Sequence, residues 1–153
     1  MKFSETEIED HYIKLITDLG LGFVEVRAVP YGSSFTFEEL TEWVSSTPFC
    51  LFAIGAEDFE SATATHKAYR VKPQIVIAFG NVYDASSMEF RTFRDTCVDV
   101  VKRKVAGVQW QTAEGQQIIP NLKRSFLSLR EPSTGLILYV QEYEVNTLID
   151  SDQ

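Results

Sequence analysis

Few side chains in this sequence could carry out covalent or acid–base chemistry, and their spacing forms no familiar catalytic pattern. The only histidines are His11 and His66, and the only cysteines are Cys50 and Cys97. None of them lies in an H-E-x-x-H or C-x-x-C arrangement, and the glycines form no phosphate-binding loop. A Cys–His pair assembled by the fold is formally possible. The sequence nevertheless favours a protein that is not an enzyme and binds no cofactor or metal.

The two cysteines lie in apolar segments that are far apart in the sequence. Buried thiols of this kind behave as small hydrophobic residues. A disulfide between them is the alternative, but no secretory signal accompanies them, and no apolar run is long enough to span a membrane. We therefore expect reduced, buried thiols in a protein made in the cytosol.

The charged clusters each allow two interpretations. Glu57-Asp58, and Glu142 with Glu144, could hold a divalent cation, or the second pair could form the solvated face of a strand. The basic run 102–104 could contact nucleic acid, or could complement the negative end of a helix dipole. We favour the solvated face for Glu142 and Glu144, and the helix dipole for the basic run because it is a sufficient local explanation. A formal charge of −8 also disfavours an extended nucleic-acid-binding surface.

Three helices are predicted from the spacing of apolar residues. Ser4 and Glu7 form a capping box before the first helix, and Gly20 supplies its stop. A short second helix is expected over Phe37–Val44. The longest helix is expected over Met88–Val105, where an apolar stripe recurs at helical spacing.

Several strands are predicted between and after these helices. Phe23–Val29 is expected to be a strand, and Pro48–Gly55 is apolar throughout, which is typical of a central strand covered on both faces. Ala56–His66 is interpreted as a polar loop. The next strand, Tyr69–Phe79, alternates cleanly, and Pro73 within it predicts an edge, a bulge or a break.

The last stretch of the sequence predicts a long β-hairpin with unequal arms. Its first arm is Leu122–Arg130, and its second arm runs from Leu136 to about Ile149, well beyond the usual ~5–6 residues of a strand. Residues past about Asn146 have little of the first arm left to pair with. Because an unpaired strand edge is a template for another chain, this overhang points towards assembly rather than catalysis.

Together these segments predict an α+β fold. The expected order is α-β-α-β-β-α-β-β, with a mainly antiparallel or mixed sheet packed by two to three helices. No linker, repeat or low-complexity segment divides the 153 residues, so one domain is expected.

Two regions are candidates for contact with other chains. One is the Ala56–His66 loop, where an isolated aromatic side chain among acids either meets a partner or folds back on the domain edge. The other is the closing hairpin with its overhang. The candidate interface residues are Glu57, Asp58, Phe59, Glu60, Arg130, Asn146, Leu148 and Ile149.

In order and character, nearly the whole chain resembles the tail terminator proteins of tailed bacteriophages. The likeness is to the Mu-like group and, more distantly, to the lambda minor tail protein U group. It follows the helix at Ile8–Leu19, the run Thr47–Phe52, the acidic loop, the strand Tyr69–Phe79, and, after a long helix, Gly135–Val145. No catalytic or metal signature belongs to this likeness.

The resemblance implies a structural protein of the virion tail, assembled in the host cytoplasm. Such proteins form a hexameric ring at the head-proximal end of the tail tube, stop its polymerisation and present a surface to the neck proteins. The implied partners are other copies of the chain, the tube protein and neck or connector proteins, without a membrane. DNA passes through the ring without specific binding, and an acidic lumen would limit sticking.

Two other functions remain open from the sequence. Another head–tail connector or tail-completion protein would have a similar size and would assemble in a similar way. A small ligand-binding or enzymatic α+β domain would instead place its pocket beside Trp43 or Trp110, and would be marked by a monomeric state and a deep polar cleft.

Overall fold

A computed structural model describes residues 4–28, 48–61, 66–80, 88–131 and 135–150. Within them the chain has an α+β fold with two helices, a five-stranded mixed sheet and a small two-stranded hairpin. Helix α1 is Glu5–Asp18. Helix α2 is continuous and consists of α-helical Met88–Phe93, π-helical Arg94–Val98 and α-helical Asp99–Val105. The strands are β1 Glu25–Ala28, β2 Phe49–Ser61, β3 His66–Phe79, β4 Trp110–Gln111, β5 Gln117–Ile118, β6 Asn121–Glu131 and β7 Leu136–Asp150.

The large sheet has the strand order β1-β2-β3-β7-β6. Strand β1 runs parallel to β2, and every other neighbouring pair is antiparallel. The closing hairpin formed by β6 and β7 is therefore present as predicted. Its longer arm lies inside the sheet, between β6 and β3, and the mainly antiparallel sheet confirms the predicted fold class.

Helix α1 begins and ends where its sequence predicts. The Ser4 hydroxyl accepts a 3.1 Å hydrogen bond from the backbone N–H of Glu7, and Gly20 adopts a positive φ of 63° just beyond the helix. The carboxylate of Glu7 makes a long-range contact, accepting a 2.8 Å hydrogen bond from the N–H of Ala113. The helix start is thus tied to the small hairpin as well as capped.

Both helices pack on one face of the large sheet. Their buried side chains meet the inward-facing residues of β2, β3 and β7 in a single hydrophobic cluster, which includes Tyr12, Phe52, Ile77, Val101 and Tyr143. The opposite face of the sheet is buried as well, around Phe49, Leu51, Val76, Ala78, Leu136, Leu138 and Val140. The prediction that the run after Pro48 is covered on both faces is confirmed.

The predicted polar loop at Ala56–His66 is wrong. Strand β2 continues to Ser61 and β3 already begins at His66, so the two strands form one long antiparallel hairpin. The polar residues indicated a loop, but a strand can be polar where its hydrogen bonds to a neighbour are regular. Glu57, Asp58, Phe59 and Glu60 therefore lie on a strand.

The residues after Asn146 have no partner in the first arm of the hairpin, as predicted, but their partner is another strand of the same chain. Pairing between β6 and β7 ends at Asn121 opposite Glu144, as the unequal arms predicted. Residues 146–150 of β7, including Leu148 and Ile149, pair instead with residues 66–70 of β3. The backbone groups along one side of the overhang are thus used within the chain.

Two further differences concern the elements themselves. The polar stretch after α2 contains the β4–β5 hairpin, which was not predicted because each strand has only two residues and shows no periodicity. The second predicted helix, Phe37–Val44, lies outside the described residues. That the chain is one domain stays a prediction.

Candidate assembly surface

Three irregularities line up across the large sheet. Gly55 is an extra residue in β2, because Ile54 lies opposite Pro73 and Ala56 lies opposite Lys72. In β6, Lys123 is likewise an extra residue against β7. Such bulges bend a strand and increase its twist.

Between these two bulges, the pairing of β3 with β7 is interrupted at Pro73. Register partners are found on either side, at Val71 opposite Val145 and at Gln74 opposite Glu142. Proline has no N–H to contribute to the ladder. Of the alternatives that the sequence left open at Pro73, the structure shows an irregularity of pairing, with a bulge in the facing strand β2, while β3 itself continues unbroken from His66 to Phe79. The sheet is divided along this line into a body, which carries the helices, and an extension.

We call the extension the arm: residues 56–61 of β2, 66–71 of β3 and 145–150 of β7. Strand β3 lies in the middle, with Phe59 on one side of Tyr69 and Thr147 on the other. Strand β1 ends opposite Phe52 and β6 ends opposite Glu144. Among the described strands, therefore, the outer strands of the arm each have one edge without a neighbour.

The arm brings together the two contact regions that the sequence predicted separately. Glu57, Asp58, Phe59 and Glu60 lie on its β2 strand, and Asn146, Leu148 and Ile149 lie on its β7 strand. Strand β3 joins them into one structural unit. Arg130 is not part of this unit, since it lies far along β6, opposite Ile137 near the hairpin turn.

A polar recess lies at the base of the arm, on the strand faces opposite the buried helix-facing residues. It is lined by side chains of both charges, namely Lys72, Gln74, Lys123, Glu142 and Glu144, together with Pro73 and Tyr143. Both glutamates are partly exposed and alternate with buried Tyr143 and Val145, as expected for the outward face of a strand. No group of three metal-ligating side chains occurs in the described parts of the chain.

A buried hydrogen-bond network fixes β7 to helix α2 immediately before the arm. The side-chain amide of Gln141 is fully buried and donates to the carbonyl oxygen of Val98 at 2.9 Å, while its Oε1 accepts from the Tyr143 hydroxyl at 2.8 Å. Burial, and then the proximity of Tyr12 and Cys50, raises the pKa of Tyr143. The hydroxyl thus stays protonated and acts as a hydrogen-bond donor.

A second anchor holds α1 against the small hairpin. His11 stacks on Trp110, with ring centroids 3.7 Å apart and planes 9° from parallel, and the Trp110 N–H donates to the Tyr12 hydroxyl at 3.0 Å. Burial lowers the pKa of His11 and raises that of Tyr12 to about 12. No local sequence signal reveals this stack, because its partners are about a hundred residues apart.

The prediction of buried, unpaired thiols is confirmed. Cys50 and Cys97 are both buried, and neither forms a disulfide. Burial raises the pKa of both thiols, which disfavours the reactive thiolate form. In this state they contribute packing rather than nucleophilic chemistry.

Comparison with models of known protein families gave no match, and a search of curated proteins gave none either. None of the helices in the described residues is both long and apolar enough to cross a membrane.

Proposed function

We propose that this chain is a non-enzymatic structural protein of a tailed bacteriophage, a subunit of the ring that terminates the tail tube. The particular role comes from the family resemblance of the sequence. The observation that supports an assembly role is the arm, whose two outer strands each present an edge that no described strand covers. Exposed strand edges add readily to other chains.

The chemistry of the described residues is consistent with a structural role. Groups whose pKa is strongly shifted mark an active site when they line a cleft. Here Tyr12, Cys50 and Tyr143, whose pKa values are raised, all belong to the main hydrophobic cluster, and only Tyr143 also borders the polar recess. Their shifts arise from burial, and each group is held neutral by the core that it helps to form.

A ring of identical subunits requires two different patches on each subunit. The arm offers them as its β2 edge and its β7 edge, which lie on opposite sides of β3. The tube protein and the neck proteins would bind the two ends of such a ring. The acidic charge of the chain would limit adhesion of the DNA that passes through it.

Electron microscopy of tails assembled in the absence of this protein tests the proposal. Without a terminator, tube polymerisation continues, so overlong tubes are expected, and supplying the protein should restore a uniform length. Tails of normal length that lack heads would overturn the terminator role. That result would favour the second candidate, a connector or tail-completion protein with the same assembly surface.

The ligand-binding alternative has one observation against it. A pocket beside Trp110 would use the indole as a platform, but one of its faces is covered by His11 and its N–H is bonded to Tyr12. Trp43 lies outside the described residues. A purified protein that remains monomeric in the presence of tail tubes and binds a small molecule would favour this alternative over the structural role.

A further inference from the structure

The strand directions in the arm define how two copies could join. Because β2 and β7 are each antiparallel to β3, they run parallel to each other. We propose that residues 145–150 of β7 in one copy pair, in parallel, with residues 56–61 of β2 in the next copy. This inference rests on the proposed ring-forming function and specifies its subunit joint.

The β7 edge of the arm lacks the features that protect an exposed strand from pairing. Bulges, prolines and charged residues, above all lysine, commonly serve this purpose. Strand β6, at the edge of the sheet body, has two register shifts and carries Lys123, Arg124 and Arg130. Residues 145–150 have an unbroken register with β3 and contain no proline, lysine or arginine.

The charges of the three arm strands favour β2 of a second copy as the occupant of that edge. The β2 segment carries Glu57, Asp58 and Glu60, and the β3 segment of the arm carries Lys67 and Arg70, of which Arg70 already lies opposite Asp58 in the same copy, whereas residues 145–150 carry one acid, Asp150. A head-to-tail joint places the acidic β2 strand of the next copy two strand spacings from basic β3, roughly 10 Å away. That distance is slightly more than the Debye length of about 8 Å at physiological ionic strength, so salt weakens the attraction strongly and low ionic strength favours it.

Two symmetric joints, which pair β2 with β2 or β7 with β7, are less favourable than the head-to-tail joint. Pairing β2 with β2 of a second copy would set two acidic strands side by side. Pairing β7 with β7 would leave both β2 edges uncovered and would bring no acidic strand near a basic one. The head-to-tail joint uses both edges of every copy with a single kind of contact, which can repeat from copy to copy until a ring closes.

Disulfide trapping between two differently tagged copies tests this joint. One copy carries Thr147→Cys on β7. The other copy carries a single cysteine substitution on β2, tested in turn at each of residues 57–61. Several positions are needed because a stagger between the copies would change which β2 residue lies opposite Thr147. Neighbouring strands bring Cα atoms to about 5 Å, within the range that a disulfide spans. Cys50 and Cys97 are buried, and Ser128→Cys, an exposed position on β6, replaces Thr147→Cys as the control.

The expected result is a mixed, doubly tagged dimer for at least one β2 position, several-fold above the Ser128→Cys control and reduced by added salt. Dimers of Thr147→Cys with itself, or no dimer above the control at high protein concentration, would overturn the proposed joint. Neither of those outcomes affects the proposed function, which tail length tests separately. If tails assembled without the protein had normal length, both the proposed terminator ring and the joint between its subunits would be overturned.

Discussion

The side-chain amide of Gln141 donates a 2.9 Å hydrogen bond to the main-chain carbonyl of Val98, and so couples strand β7 to the π-helical turn of α2. A π-helical turn accommodates one more residue than an α-helical turn and often occurs at functional positions. Here it lies beside the strand that continues into the arm. The contact therefore sets the position of β7 relative to the body of the protein.

Replacing Gln141 by leucine should destabilise the fold. The substitution leaves the buried Tyr143 hydroxyl without its acceptor and removes the donor to Val98, and an unsatisfied buried polar group costs about 1–3 kcal/mol. The free energy of unfolding, measured by urea denaturation, should therefore fall by about 1–3 kcal/mol.

The matched control is Tyr143→Phe, which removes only the hydroxyl that donates to Gln141. Because the two side chains share one network, the double variant should lose less stability than the two single losses added together. Strict additivity would show that the network does not act as a unit.

His11 should titrate below the usual imidazole pKa of about 6.5, because burial against Trp110 disfavours its charged form. The unfolded chain then takes up this proton at a higher pH than the folded protein. The stabilising contribution of neutral His11 is present above about pH 6.5 and is lost as the pH falls through the folded value. NMR titration of the His11 ring protons, in the folded protein and in denaturant, measures the pKa in each state.

Trp110→Leu should move the pKa of His11 back towards its ordinary value by uncovering the ring. The chain has only two histidines, so the imidazole NMR signal that remains in a His66→Ala variant is that of His11. An unshifted His11 in the wild-type protein would contradict the stacked arrangement.

The protein should lose stability in alkali as Tyr12 becomes ionised on unfolding. In the folded protein burial raises the pKa of Tyr12 to about 12, whereas an unfolded tyrosine titrates near 10. Between these values the unfolded state binds fewer protons, so the free energy of unfolding should fall as the pH rises. Tyr12→Phe should reduce that slope, although it also removes the acceptor for Trp110. A part of the tyrosinate absorbance that appears only with unfolding, and that is smaller in Tyr12→Phe, would support the account, and six normally titrating tyrosines in the folded protein would contradict it.

Much of the fold follows from local periodicity. The alternation of Val71, Ile75 and Ile77 places these residues on one buried face, as the structure has it. The same period-two pattern places Gln141 on the core side with Tyr139 and Tyr143, so its burial could have been inferred.

The arm could not be predicted in this way. Residues 146–150 pair with a strand about eighty positions earlier, and such pairing depends on where the sheet brings strands together. The polar composition of residues 56–61 also concealed a regular strand, because hydrogen bonding to β3 does not require apolar side chains.

Deleting Asn146–Gln153 should abolish association with other copies and with tail tubes. The deletion removes the β7 edge and also the partner of residues 66–70 in β3, so amide exchange should rise in the arm. The core in the sheet body should remain protected, which hydrogen exchange would verify. Removal of residues 151–153 alone is the matched control and should leave association unchanged. A folded deletion variant with undiminished mass by light scattering would count against the arm as the assembly surface.

The central claim is that this protein ends growth of the tail tube, and an in vitro polymerisation assay tests it most directly. Tube protein from the same phage is allowed to polymerise with and without the purified chain, and tube lengths are measured by electron microscopy. The account predicts shorter tubes that carry a ring at one end, and no such effect from the Asn146–Gln153 deletion. Tubes of unchanged length, with no ring at either end, would contradict it.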